Sequence, residues 1–457
     1  EQILVKFALS AVSTEGAVNN LKTEIPGWNF DLVHKQAEES WNKELSRITI
    51  EASEEKKIIF YTALYHAFLS PTLFMDEDGN YRGLDHNNHH ADGFTNYTTF
   101  SLWDTYRALH PLFTLVQQQR TSDMINSMLA HQQQSVHHIL PVWSHYANEN
   151  WCMIGYHAVP VIADAYMKGI KGFDVQKALD ASIASATYAP NDGIGDYMKY
   201  GFVPADKSSN SASKTLEYAY DDYCISQMAG KMGNTEIASA YAKRAEAYNF
   251  VWDKSTGFMR AKKSDGMFQS PFDPLSTERQ GFIEGNAWNY SFYIPQNPSR
   301  LIELYGGNKK FMAHLDSLFN IKLEEKYFAE SEDISAVGMI GNYVHGNEPS
   351  HHIPYLYVLA GAPWKTQERI HQITNTMYHN TTDGLCGNDD CGQMSAWYIF
   401  SSLGFYPVCP GNNEYVIGAP SVDKATLNLE NGKQFTITAH NLNDKNIYIQ
   451  QIKLNGI

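Results

Sequence analysis

The feature that most restricts what this chain can fold into is helical periodicity that keeps returning in consecutive pairs. Apolar residues recur at helical spacing through Phe30, Val33, Ala37, Trp41 and Leu45, and again through Ile58, Ala63, Leu64 and Phe68. Similar runs cover residues 100–115, 122–134, 151–167, 175–186, 213–233, 237–252, 299–305, 308–319, 355–359, 365–378 and 394–405. A set of about twelve paired helices predicts a mainly α body closed as a double-layered (α/α) barrel, with its site on the linking loops at one end. Residues 1–13 alternate apolar and other side chains like a strand, with a loop to Pro26, and short strand-like runs return at 415–417, 424–429, 435–439 and 447–454. The chain thus divides into residues 1–28, a helical body over 29–410 and a β segment over 411–457.

Charge and composition narrow the partners. The formal charge of −15 comes without a cluster of Lys and Arg, which argues against a phosphate backbone or an anionic membrane surface. The 28 Tyr and 9 Trp mostly serve packing, but flat rings also cover the apolar face of a sugar. Cys152, Cys224, Cys386, Cys391 and Cys409 show no CxxC spacing, so neither a zinc ribbon nor a disulfide framework is expected. Cys386 and Cys391 flank an acidic pair, where a bridge or two free thiols both fit. No run of eighteen apolar residues marks a membrane span, and oligomeric state is not legible.

The chemistry concentrates in three polar stretches. In 384–410 (GLCGNDDCGQMSAWYIFSSLGFYPVCP), Asp389 and Asp390 stand at the mouth of a buried helix, where the helix dipole favours an ionised carboxylate able to take a proton from water. The competing reading is a plain helix cap. Glu284 lies among Phe282, Trp288, Tyr290, Phe292 and Tyr293, a partly desolvating setting that raises a carboxyl toward the range of a general acid. The alternative is a carboxylate hydrogen-bonded to the amides of Gly285 and Asn286. Residues 341–352 gather Asn342, His345, Asn347, Glu348, His351 and His352, whose Asn and Glu oxygens suit a hard ion such as calcium more than zinc.

Three further readings are weaker. Asp85, His86, His89 and His90 read as a solvated loop in preference to a metal cluster. His157 is expected to be a satisfied core histidine. Glu217 and Asp221, four apart on one helix, read as a solvated acidic face because like charges repel.

The runs SLWDTYRALHPL, WCMIGYHAV, KTLEYAYDDYC, EGNAWNY, HGNEPSHHIPYLY, GAPWKTQ and GNDDCGQMSAWYIFSSLGFYPV occur in this order between Ser101 and Val408 and resemble glycoside hydrolase family 92. The resemblance implies a calcium-dependent, inverting, exo-acting α-mannosidase with an (α/α)6 barrel. It also implies that residues 1–28 belong to a β-sandwich domain and 411–457 to a small β-domain. Glu284 becomes the general acid and Asp390, with Asp389, the base. Asp104 and Trp103 hold the sugar together with His345 and Glu348, and Asn347 and Glu348 bind Ca2+. The implied substrates are mannose-containing glycans such as N-glycans or mannan, and the implied location is periplasmic or secreted. Two other readings compete: a glycan-binding relative without turnover, and a barrel lyase or epimerase, which calls for a basic cleft that the net charge disfavours.

Overall fold

A computed structural model describes residues 3–328 and 336–457. The protein is mainly helical, with seven small antiparallel sheets among the described residues. Consecutive helices pack on one another: Ser211–Lys231 lies against Thr235–Arg244 and against Ala158–Met167, and Leu109–Val116 lies against Gln118–Gln134. The anticipated run over 100–115 is broken into a strand, Phe100–Ser101, and two helices, Leu102–Thr105 and Leu109–Val116.

The helix Gln393–Leu403 is buried at every position and packs on Glu54–Ala67 and Leu109–Val116. Its long apolar residues, with only Gln393 and three small serines among them, permit that depth. Gly392 opens it at φ 95°, and a Cβ there would lie 2.8 Å from Cα of Ala67, so only glycine allows the two helices to approach this closely. All five cysteines are free.

Several expectations fail, three of them at the chain's two ends and one on a helix face. The alternating segment before residue 13 forms no strand among the described residues: Ile3, Val5, Phe7 and Leu9 are 85%, 83%, 77% and 82% exposed. Residues 20–26 are not a simple loop either, because Ser13 Oγ accepts from the Gly16 N–H and starts a helix, Thr14–Glu24. The segment 447–454 likewise forms no strand.

The solvated acidic face fails as well. Glu217 and Asp221 are fully buried, and His157 lies between them, with Nδ1 2.8 Å from Asp221 Oδ1 and Nε2 3.0 Å from Glu217 Oε2. Despite burial, the two carboxylates raise the His157 pKa to about 9. Next to them, Asp222 accepts from Arg244 Nε at 2.9 Å and from the hydroxyls of Tyr156 and Tyr197 at 2.8 and 3.0 Å. Charges that repel along one helix are neutralised from other helices, which is what makes their burial tolerable.

The C-terminal strands are part of the body. Ile48–Glu51 pairs antiparallel with Lys424–Asn428 in the register Ile48 with Leu427, and Gln434–Thr438 adds on the far side. Ala425 and Leu427 point into the core at 0% and 1% exposure.

Candidate active site

Four acidic side chains reach one region from four separate segments. Asp104 sits on the single turn Leu102–Thr105, and Ser101 Oγ donates to its Oδ2. Asp104 is 6% exposed, and burial followed by the nearby Asp390 carboxylate pushes its pKa well up. Glu284 stands just before the helix Ala287–Tyr290, whose start is held by a reciprocal Asn286–Asn289 capping box. Asn347 Nδ2 donates to the main-chain oxygen of Glu284 at 2.8 Å and to its Oε2 at 3.3 Å. The Asn286 N–H, one of the two amides considered for Glu284, goes to Asn289 Oδ1.

Asp389 and Asp390 are placed differently: one holds the helix start and the other lines the cavity. Asp389 Oδ1 accepts from the Ser395 N–H at 2.9 Å, so this residue holds the start of Gln393–Leu403. Asp390, at φ 46°, is followed by Cys391 at φ 58° and Gly392 at φ 95°; this left-handed turn brings Asp390 to the cavity wall. Non-glycine residues held there cost about 1–3 kcal/mol each and are common at functional sites.

Glu348 opens the 3-10 turn Glu348–Ser350 and is completely buried, and neither carboxylate oxygen has a hydrogen-bond partner among the described residues. Burial, then Asp104 and Asp390, push its pKa well up. One oxygen each from Asp104, Glu348 and Asp390 lie within 4.8 Å of one another. Three carboxylates this close, one lacking any donor, fit a divalent cation, since a cation removes both the mutual repulsion and the desolvation cost. An all-oxygen donor set suits Ca2+ better than a soft metal.

Asp104, Glu284, Asn347 and Asp390 share the wall of a cavity of about 790 Å³ with Trp143 and Cys152. Trp103 and His345 are not brought to that wall. Trp103 Nε1 donates to both oxygens of Glu217, at 3.1 and 3.0 Å, and its ring carries the Arg107 guanidinium 4.8 Å from its centre. His345, fully buried, is bonded to the hydroxyls of Tyr343 and Tyr378 at 2.8 and 2.7 Å. The histidines at 86, 89 and 90 lie on or beside an exposed hairpin, where His89 binds Asp85 at 2.9 Å. Sequence reasoning missed Trp143, Cys152 and Met153; the WCM that opens WCMIGYHAV was read as helix, whereas the helix begins only at Ala158.

The sequence matches the glycosyl hydrolase family 92 catalytic domain over residues 16–457. The chain belongs to glycosyl hydrolase family 92. Among solved structures of the family, an α-mannosidase from Bacteroides thetaiotaomicron in complex with mannoimidazole superposes with a TM-score of 0.94 at 46% identity, covering 98% of this chain and 59% of that one. An inverting mannosidase of the family from Bacteroides thetaiotaomicron VPI-5482 gives 0.85 at 35% identity over 95% of this chain and 60% of that one. An uncharacterized secreted glycosidase of Arthroderma benhamiae is 28% identical across the whole chain, which spans 58% of its length. The chain therefore spans about three-fifths of the length of these family 92 relatives.

Proposed function

We propose that this family 92 chain carries the catalytic residues of an inverting exo-α-mannosidase that removes terminal α-mannose from glycans such as N-glycans or mannan. The observation that carries the reading is the convergence of Glu284, Asp390 and Asp104 on one cavity, with Glu348 behind it. The mannosidases named among its structural neighbours supply the sugar. Glu284 donates its proton to the glycosidic oxygen as the bond to C1 breaks. Asp390 takes a proton from a water that attacks C1 from the opposite face, so an α-mannoside yields β-mannose. Asp104 accepts from sugar hydroxyls, and Asn347 keeps the Glu284 carboxyl in place. Asp389 supports the base by fixing the helix start beside it.

Ca2+ would be held by Glu348 and Asp104, with the amide oxygen of Asn347 as a further donor. When bound it would offset the local negative charge and engage the neighbouring O2 and O3 hydroxyls of mannose. In this reading the helical pairs close as a six-fold (α/α) barrel, and the protein works in the periplasm or outside the cell. No helix among the described residues is long and apolar enough to cross a membrane.

The test is incubation of the complete polypeptide with α-1,2-, α-1,3-, α-1,4- and α-1,6-mannobiose, with and without EGTA followed by calcium. Release of mannose from at least one, lost on chelation and restored by calcium, is expected. Indifference to chelation would remove the metal, and no release from any would remove the activity.

A further inference from the structure

A second cavity, of about 400 Å³, adjoins the acidic one and has no role in the chemistry above. Met153 lines both. Elsewhere along the seam the chain hands one residue to each side: Val142, Trp151 and Ile283 line the second cavity, while their neighbours Trp143, Cys152 and Glu284 line the first. The residue proposed to protonate the leaving oxygen therefore sits in the dividing wall.

The walls are built to one stiff shape. Trp151 and Met153 have φ of 56° and 67°, and across the cavity Asp192 and Asn210 have φ of 37° and 53°, four strained non-glycine positions around one space. The Glu149 carboxylate ties Trp151 to the facing segment, accepting from the N–H groups of Val142, Trp143 and Trp151 at 2.9, 2.8 and 3.1 Å. Trp151 is nevertheless 43% exposed, a flat apolar residue beside a cavity whose wall is part apolar and part polar. Asn191, Asp192 and Asn210 supply both donors and acceptors. Lys214 brings no free positive charge for an anion, because its Nζ is 2.6 Å from Asp192 Oδ1 and 2.9 Å from Ser208 Oγ.

From these features we infer that the second cavity binds the leaving-group side of the substrate, a neutral pyranose stacked on Trp151 with its hydroxyls on Asn191, Asp192 and Asn210. This rests on the reading of Glu284 as the acid. Stacking on a rigid ring with a few convergent polar groups is how concave sites select sugars. The preference of the enzyme among mannosidic linkages would then be set in part by this wall.

The experiment compares kcat/KM on the α-mannobiose the wild type cleaves fastest with that on α-mannosyl fluoride, whose leaving group is too small to reach Trp151. Trp151→Ala and, as an independent variant on the polar side, Asn191→Ala should each lower the disaccharide-to-fluoride ratio about tenfold. A ratio within twofold of wild type in both would overturn the leaving-group site while leaving the hydrolase reading intact. A wild type inactive on both substrates would instead overturn the reading on which the inference stands.

Discussion

At the scale of single residues, position 284 carries the sharpest expectation. Glu284→Gln should cost about 10²–10⁴-fold on mannobiose but far less on a mannoside with an activated aryl leaving group, which needs no proton. Equal losses on both would show that Glu284 is not the acid. Glu348 is tested by stability. Calcium at a hundred times its Kd should stabilise the wild type by about 2.7 kcal/mol, read by thermal unfolding, and Glu348→Gln should abolish that gain. A persisting calcium effect in the variant would place the ion elsewhere. That Glu284 and Asp390 line one cavity was legible in the sequence, because a lone carboxyl among rings and a carboxyl at a helix mouth each carry a local signal. That Asp389 holds the helix start while Asp390 turns to the cavity was not legible, since it depends on a left-handed turn that no residue type announces. Nor was the contact from Asn347 to Glu284, which spans 63 residues.

At the scale of elements, the helix Ser211–Lys231 shows what helical spacing can and cannot tell. Its existence follows from periodicity, but Glu217 and Asp221 look like a wet face only while the partner is unknown. His157, which neutralises them, lies 60 residues or more away in sequence. The His157 pKa is raised, so the protonated ring contributes stability that is complete below about pH 6.5 and is lost as pH rises through about 9. Between those limits the wild type should lose about 3 kcal/mol by thermal unfolding, whereas His157→Gln should be destabilised at pH 6 and show a flatter profile. Parallel profiles for the two proteins would mean that His157 is neutral in the fold. The alternating residues 3–9 show the converse error, since period-2 apolarity forms a strand only when another strand supplies the hydrogen bonds.

At the scale of the whole molecule, the body and the C-terminal β segment are joined by the ladder between Ile48–Glu51 and Lys424–Asn428. The change from helical to strand period after residue 410 was legible, but the pairing of a strand at residue 48 with one at 424 was not, because register across such a distance leaves no local trace. Leu427→Ala should therefore destabilise the entire helical fold by about 3 kcal/mol in a single cooperative transition. Separate melting of a small C-terminal unit would contradict that union. The same body brings four acidic residues from four segments to one region, and the chemical consequence of that convergence has a direct readout. Proton NMR of the first mannose released from an α-mannobiose tests it most directly. β-Mannose appearing first and then mutarotating is the predicted result, and α-mannose appearing first would contradict an acid at Glu284 working opposite a base at Asp390.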